Sequence, residues 1–179
     1  MASRLNAVVC IGGAAGSGKS ALARQIALAF SVPLAAYSDV LRGDACSLGI
    51  EPNRSNLQAL GLRRIEEGWS SFTTALTARL GWPPPCPAVI EGIRHPEALD
   101  HCRAAAGALR VLFICLDVDS LIRDDRLASR DGDRVDSAII DSHAVESAIP
   151  SLAARADLVL QYGRVEEWLD RSIYLLTDI

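Results

Sequence analysis

Gly13-Ala14-Ala15-Gly16-Ser17-Gly18-Lys19-Ser20 joins two segments of opposite periodicity, and its reading decides the fold. Before it, residues 7–11 (AVVCI) form a short run, apolar on both faces, that reads as a buried strand. After it, Leu22, Ile26 and Phe30 recur at i, i+4 and i+8, the period of one helix face. The stretch between them matches GxxxxGK[ST] in full, in the strand-then-helix context that the motif requires. Its glycines let the backbone bend until N–H groups point at phosphate oxygens, and the following helix adds its positive N-terminal end. On this reading Gly13, Ala14, Ala15, Gly16, Ser17, Gly18, Lys19, Ser20 and Ala21 grip the phosphates of a nucleoside triphosphate. Lys19 reaches the β- and γ-phosphates, and the Ser20 hydroxyl is a ligand of Mg²⁺. The alternative, a glycine turn with a chance Lys-Ser, leaves the complete spacing unexplained.

Composition sharpens this. The chain has 17 arginines and one lysine, and that lysine is Lys19. A compact, mobile ammonium suits a phosphate cradle, whereas a planar guanidinium fork does not fit the same space. A length of 179 residues suits one domain, 1–179, and half of the residues are apolar. The longest apolar stretches are broken within about a dozen residues, short of the ~20 that span a bilayer. The first residues show no signal-peptide pattern, so the expected location is the cytoplasm and no membrane partner is expected. A formal charge of −4 argues against a general nucleic-acid binder. Five cysteines without CxxC spacing give neither a disulfide framework nor a zinc site, and Cys10 and Cys115 read as small buried hydrophobes.

Further strands are expected at 32–37, 88–91, 109–116 and 157–160. Helices are expected at 38–48, from 53 or 55 to 80, and at 96–106, 119–130, 137–147 and 165–176. Ser38 is the expected N-cap of the second helix, and Gly61 and Gly68 are possible interruptions of the third. Residues 81–87 (GWPPPCP) form a stiff loop. Strands that alternate with helices and are apolar on both faces indicate a parallel sheet covered on both sides.

Three more positions carry chemistry. Glu91 ends the apolar strand Val89-Ile90, where an acid can hold a Mg²⁺-bound water or activate an acceptor. Asp39 and Arg42 stand three apart on one helix face, and Arg94 follows Glu91; both arginines lie past carboxyl ends of strands, the side where α/β sheets bind ligands. A guanidinium grips a phosphate bidentately, so the pair points to a second, phosphate-bearing substrate. Arg123, Arg126 and Arg130 share a helix face, with Arg134 and the tip Asp131-Gly132-Asp133 beyond, an arrangement that suits a lid over a transferring phosphoryl group. The three histidines, His95, His101 and His143, read as surface or cap residues.

In order and spacing, GxxxxGKS, Asp39-Val40-Leu41-Arg42, Glu91-Gly92-Ile93-Arg94 and the arginine-bearing helix resemble the nucleoside monophosphate kinase superfamily, which includes adenylate kinases and dephospho-coenzyme A kinases. Segments 38–42, 48–61, 89–97 and 156–168 resemble an archaeal-type nucleotide-kinase-like family. The resemblance implies a three-layer α/β P-loop NTPase fold with a five-stranded parallel sheet and a small lid at about 121–136. It implies ATP and Mg²⁺ as cofactors, with Ser20 and Glu91 at the metal. Lys19, Asp39, Arg126 and Arg130 would be catalytic, and Asp39, Arg42 and Arg94 would hold a small phosphate-bearing acceptor. Three functions stay open: transfer to a nucleoside or deoxynucleoside monophosphate, transfer to a hydroxyl with Asp39 as base, and an NTP-hydrolysing switch or assembly factor.

Overall fold

Burial on both faces, expected for the run that begins at Ala7, extends over all seven residues of β1 (Ala7–Gly13). This is seen in a computed structural model that describes residues 5–131, 149–161 and 163–177, with backbone alone at 130, 131, 149 and 150. β1 lies at the centre of a sheet with β2 (Leu34–Ala36), β3 (Ala88–Ile93), β4 (Arg110–Leu116) and β5 (Leu158–Leu160), in the order β2-β3-β1-β4-β5. All four pairings are parallel. A parallel neighbour on each side leaves β1 no edge, and helices on both faces leave it no solvent.

The period-2 alternation sorts its side chains cleanly. Val8 and Cys10 point to one layer, with Ile90, Phe113 and Cys115. That layer is completed by α2 (Tyr37–Ser47), α4 (Trp69–Ala78), α5 (Pro96–Ala106) and α7 (Ile149–Ala153). Ala7, Val9 and Ile11 point to the other, with Val89, Leu112 and Ile114, beneath α1 (Lys19–Phe30) and α8 (Val165–Thr177). Two further helices complete the described chain: α3 (Arg54–Glu67) and α6 (Ser120–Asp131). The architecture is the expected three-layer α/β fold on a five-stranded parallel sheet. Cys10 and Cys115 are buried, as expected. Burial, with Asp117 nearby, pushes the Cys115 thiol up to about 11.

Two local expectations are corrected. Of the two interruptions expected in the helix up to residue 80, Gly68, whose φ of 110° belongs to glycine, does divide it, whereas Gly61 stays inside α3. Asn53 does begin α3, its side chain accepting the Asn56 N–H at 3.0 Å. Ser38 is not an N-cap: the cap lies two residues earlier, at Ala36, α2 starts at Tyr37, and the Ser38 hydroxyl accepts from Arg42 Nη1 at 3.0 Å. Helix α7 had no clear signal in the sequence. The helix expected at 137–147, with Arg134, His143 and residues 132–136 of the expected lid, lies outside the described residues. No helix among the described residues is long and apolar enough to cross a membrane.

Leu99 of α5 is fully buried in the first layer. Leu99→Ala should destabilise the protein by about 3 kcal/mol, through lost transfer energy and a residual cavity. Urea unfolding should show this as a lower midpoint with an unchanged slope.

Candidate functional site

Strand β1 passes into α1 on one face of the sheet, while its neighbour β3 passes into α5 on the other. Chain paths that part in this way open a crevice at the carboxyl ends of the strands. The glycine loop fills one side of it. Gly16 (φ 78°) and Gly18 (φ 96°) take left-handed conformations. At Gly18 this turn also caps α1, with no side-chain hydrogen bond at the cap, and sets the N-terminus of the helix beside the loop. A Cβ at Gly16 would stand 2.8 Å from the Arg123 carbonyl oxygen, and one at Gly18 would stand 3.1 Å from the Trp168 ring.

Lys19 is only 6% exposed, and its Nζ donates to the Ala14 carbonyl at 2.9 Å. The ammonium is thus stored against the loop that it would serve. Ser20, in the first turn of α1, donates its hydroxyl to Glu91 Oε1 at 3.0 Å across the crevice. Glu91 sits inside β3, paired in register with Ile11 and Ala36, and is 8% exposed. A hydroxyl and a carboxylate at this separation are hard oxygen donors of the kind Mg²⁺ takes alongside phosphate oxygens and waters. Ser20 and Glu91 therefore fit the expected metal, which would neutralise charge on the phosphates.

From the opposite side α6 closes on the loop. Arg126 Nη1 donates to the Ser17 carbonyl at 3.0 Å, with its guanidinium 5.6 Å from the Trp168 ring centroid. Arg123 Nη1 reaches the Ala15 carbonyl at 3.3 Å. The first turns of the helix expected to form the lid are packed on the loop in this structure. Arg123 is 5% and Leu127 1% exposed, because the face that carries the arginines is packed on the loop. The Arg130 side chain lies outside the described residues.

The crevice widens into a cleft of about 860 Å³. Lys19, Ser20, Glu91, Arg42, Arg94 and Arg126 all line it. Asp39 does not: its carboxylate pairs with Arg42 Nη1 at 2.9 Å, and its carbonyl accepts from Arg79 at 2.8 Å. The far wall holds residues that the sequence did not single out, among them Arg54, Gln58, Trp69 and Phe72. Trp69 and Phe72 stack with centroids 6.0 Å apart and planes at 15°, and the Tyr37 ring stands edge-on to Phe72. His95, read as a cap, does occupy the N-cap position of α5, but it also lines the cleft, 5.3 Å from Trp69. Trp69 and Phe72 at i, i+3 in a chain with nine aromatic residues were the available signal. Arg54 offered none beyond its place after an N-cap.

No protein-family model matches this chain, and no curated protein matches it in sequence. Solved structures share its fold. A gluconokinase from Sinorhizobium meliloti 1021 superposes with a TM-score of 0.66 at 17% identity, covering 98% of this chain and 94% of that one. The APS kinase of Mycobacterium tuberculosis, in complex with AMPPNP and APS, gives 0.58 at 17% identity, covering 97% and 98%. A shikimate kinase from Acinetobacter baumannii, in complex with shikimate, gives 0.57 at 12% identity, covering 98% and 95%. The described chain has the fold of these P-loop kinases.

Lys19→Ala trims a side chain that lines the cleft and bonds the loop at Ala14, outside both apolar layers, so the fold should survive. Circular dichroism should be unchanged, while coupled-assay turnover of ATP falls roughly 10²–10³-fold, as for loss of a charge-stabilising group in other active sites. Undiminished turnover by the folded variant would remove Lys19 from the chemistry.

Proposed function

We propose that this protein is an ATP-dependent small-molecule kinase that moves the γ-phosphoryl group to an anionic acceptor. The carrying observation is the continuity of the cleft. A single space of about 860 Å³ runs from the glycine loop to a second chamber walled by Arg42, Arg54, Arg94 and an aromatic face. A switch that only hydrolyses its nucleotide has no use for such a chamber. A kinase needs it to hold the acceptor in line with the γ-phosphate. The structures of similar fold described above, each that of a kinase, support the reading.

The chamber favours a nucleoside or deoxynucleoside monophosphate as acceptor. Trp69 in the cleft wall suits a planar base, and the guanidiniums of Arg42 and Arg94 in the same wall suit a phosphate. In that transfer an acceptor phosphate oxygen attacks the γ-phosphorus, the bond to the β-phosphate oxygen breaks, and ADP leaves. The attacking oxygen is already ionised, so no base is required. Lys19 and Arg126 lie beside the path and would offset charge on the transferring group. The second reading, transfer to a hydroxyl, is favoured by neighbours named for gluconate and shikimate, both of which carry hydroxyls. It needs a group to take the hydroxyl proton. Asp39 is turned to Arg42 and outside the cleft wall, which fits that role less well than it fits holding Arg42 in place.

The test is ADP formation from ATP with nucleoside monophosphates, dephospho-coenzyme A, gluconate, shikimate and no acceptor, each in turn. Stimulation by a monophosphate carries the first reading, and stimulation by the other acceptors alone carries the second. Turnover that no acceptor raises moves the protein to the switch class. With the active acceptor in hand, Arg94→Ala or Arg42→Ala should raise its KM roughly 10- to 150-fold, the effect of one lost charge-assisted contact, and leave the KM for ATP nearly unchanged. A change confined to ATP would place these arginines on the donor side.

A further inference from the structure

Arg123 has no task in the reaction just described, yet it is among the most buried charges of the described residues. A buried guanidinium is costly unless its N–H groups are met by acceptors. Here Nε donates to the Val118 carbonyl at 3.1 Å, and Nη1 donates to the Ala15 carbonyl at 3.3 Å. Val118 follows the end of β4, and Ala15 is in the middle of the glycine loop. One planar, rigid group therefore ties the loop to the sheet from behind.

The loop requires such a tie for a geometric reason. To aim its N–H groups at an anion, it must turn carbonyls the other way, and carbonyls turned into the protein need donors. Three cations supply them: Lys19 at Ala14, Arg123 at Ala15 and Arg126 at Ser17. Of these, Lys19 is wanted by the phosphates, and Arg126 lines the cleft where the transferring group would pass. Arg123 is not in the cleft wall. Independently, the α6 backbone abuts the loop at Gly16, where an added Cβ would stand 2.8 Å from the Arg123 carbonyl oxygen and 3.2 Å from its Cβ. Contact and hydrogen bonds thus act at the same turn.

We propose that Arg123 is a positioning residue: it fixes the phosphate-binding shape of the loop through the Ala15 carbonyl without touching the phosphates. The proposal rests on the loop reading given above, but not on the identity of the acceptor. Arginine is also the required type. A lysine ammonium has no fork with which to span Val118 and Ala15 at fixed separation. In a chain that uses arginine for all but one of its basic residues, only a variant shows whether the fork matters.

The experiment measures binding of Mg·ATP and of tripolyphosphate by calorimetry to the parent, R123M and R123K, with melting temperatures for each. R155M, which breaks the Arg155–Asp100 pair away from the site, is the control for general destabilisation. R123M should bind both ligands roughly 10- to 100-fold more weakly, the range for a lost hydrogen bond to a charged group. R123K should recover only part of the loss, R155M should bind like the parent, and the acceptor KM should not move. Adding methylguanidinium to R123A should restore tripolyphosphate binding. Parent-like affinity in R123M overturns the proposal; if R123M fails to fold, parent-like affinity in folded R123K does so. Equal weakening in R155M at the same loss of melting temperature would reduce Arg123 to general stability and also overturn it. A parent that binds neither ligand would instead overturn the loop reading itself.

Discussion

A backbone that points its N–H groups at an anion must point its carbonyls somewhere else, and this constraint organises the candidate site. In the segment after β1 the carbonyls of Ala14, Ala15 and Ser17 accept from Lys19, Arg123 and Arg126. The bonds are individually modest, each worth roughly 1.5–3 kcal/mol when the donor is charged. Their value lies in being made before any ligand arrives, since a loop already turned loses little entropy on binding. The same demand explains the small residues of the loop: side chains at Gly16 or Gly18 would collide with α6 or Trp168, the elements that hold the carbonyls or back the loop.

The opposite wall obeys a different logic. Helix α3 is joined to α2 by a two-pronged contact, Arg64 Nε and Nη2 to Asp44 at 2.7 and 2.6 Å. That contact holds the Arg64 guanidinium above its ordinary pKa, Asp44 being the chief cause. Both side chains are mostly shielded, so the pair counts for more than an exposed one. It holds the segment bearing Arg54 and Gln58 over the segment bearing Leu41 and Arg42. Beneath them Tyr37 bonds Thr73 at 3.0 Å and Cys102 at 3.5 Å, joining α2 to α4 and α5. Burial pushes the Tyr37 phenol well above its usual range. The second chamber is therefore built on tied helices.

Between the two walls lies the short bridge from Ser20 to Glu91. It crosses the point where the chain paths of β1 and β3 part to opposite faces, so the strand order itself brings the hydroxyl and the carboxylate together. Side chains 71 positions apart in sequence meet there because parallel pairing sets Glu91 beside Ile11, just ahead of the glycine loop.

The sequence by itself determined the central strand, the loop, the helix after it and the α/β alternation. In each, local chemistry and the required conformation agree: β-branched residues buried on both faces, glycines at positive φ, a 3.6-residue apolar period. It also marked Lys19, Ser20, Glu91, Arg42, Arg94 and Arg126, because these stand at strand ends, on the loop, or on one helix stripe. Only the tertiary structure decided what lies opposite them. Sequence spacing carries no information about Arg54, and the i, i+3 pair of Trp69 and Phe72 does not say what it faces; Arg54 and Trp69 enter the cleft because α3 packs on α2 and α4 packs on α5. Nor does spacing separate Arg123 from Arg126, three residues apart on one helix face. One is sealed against two carbonyls behind the loop and the other lines the cleft, and that difference is set by packing at Gly16, a contact between parts of the chain more than a hundred residues apart.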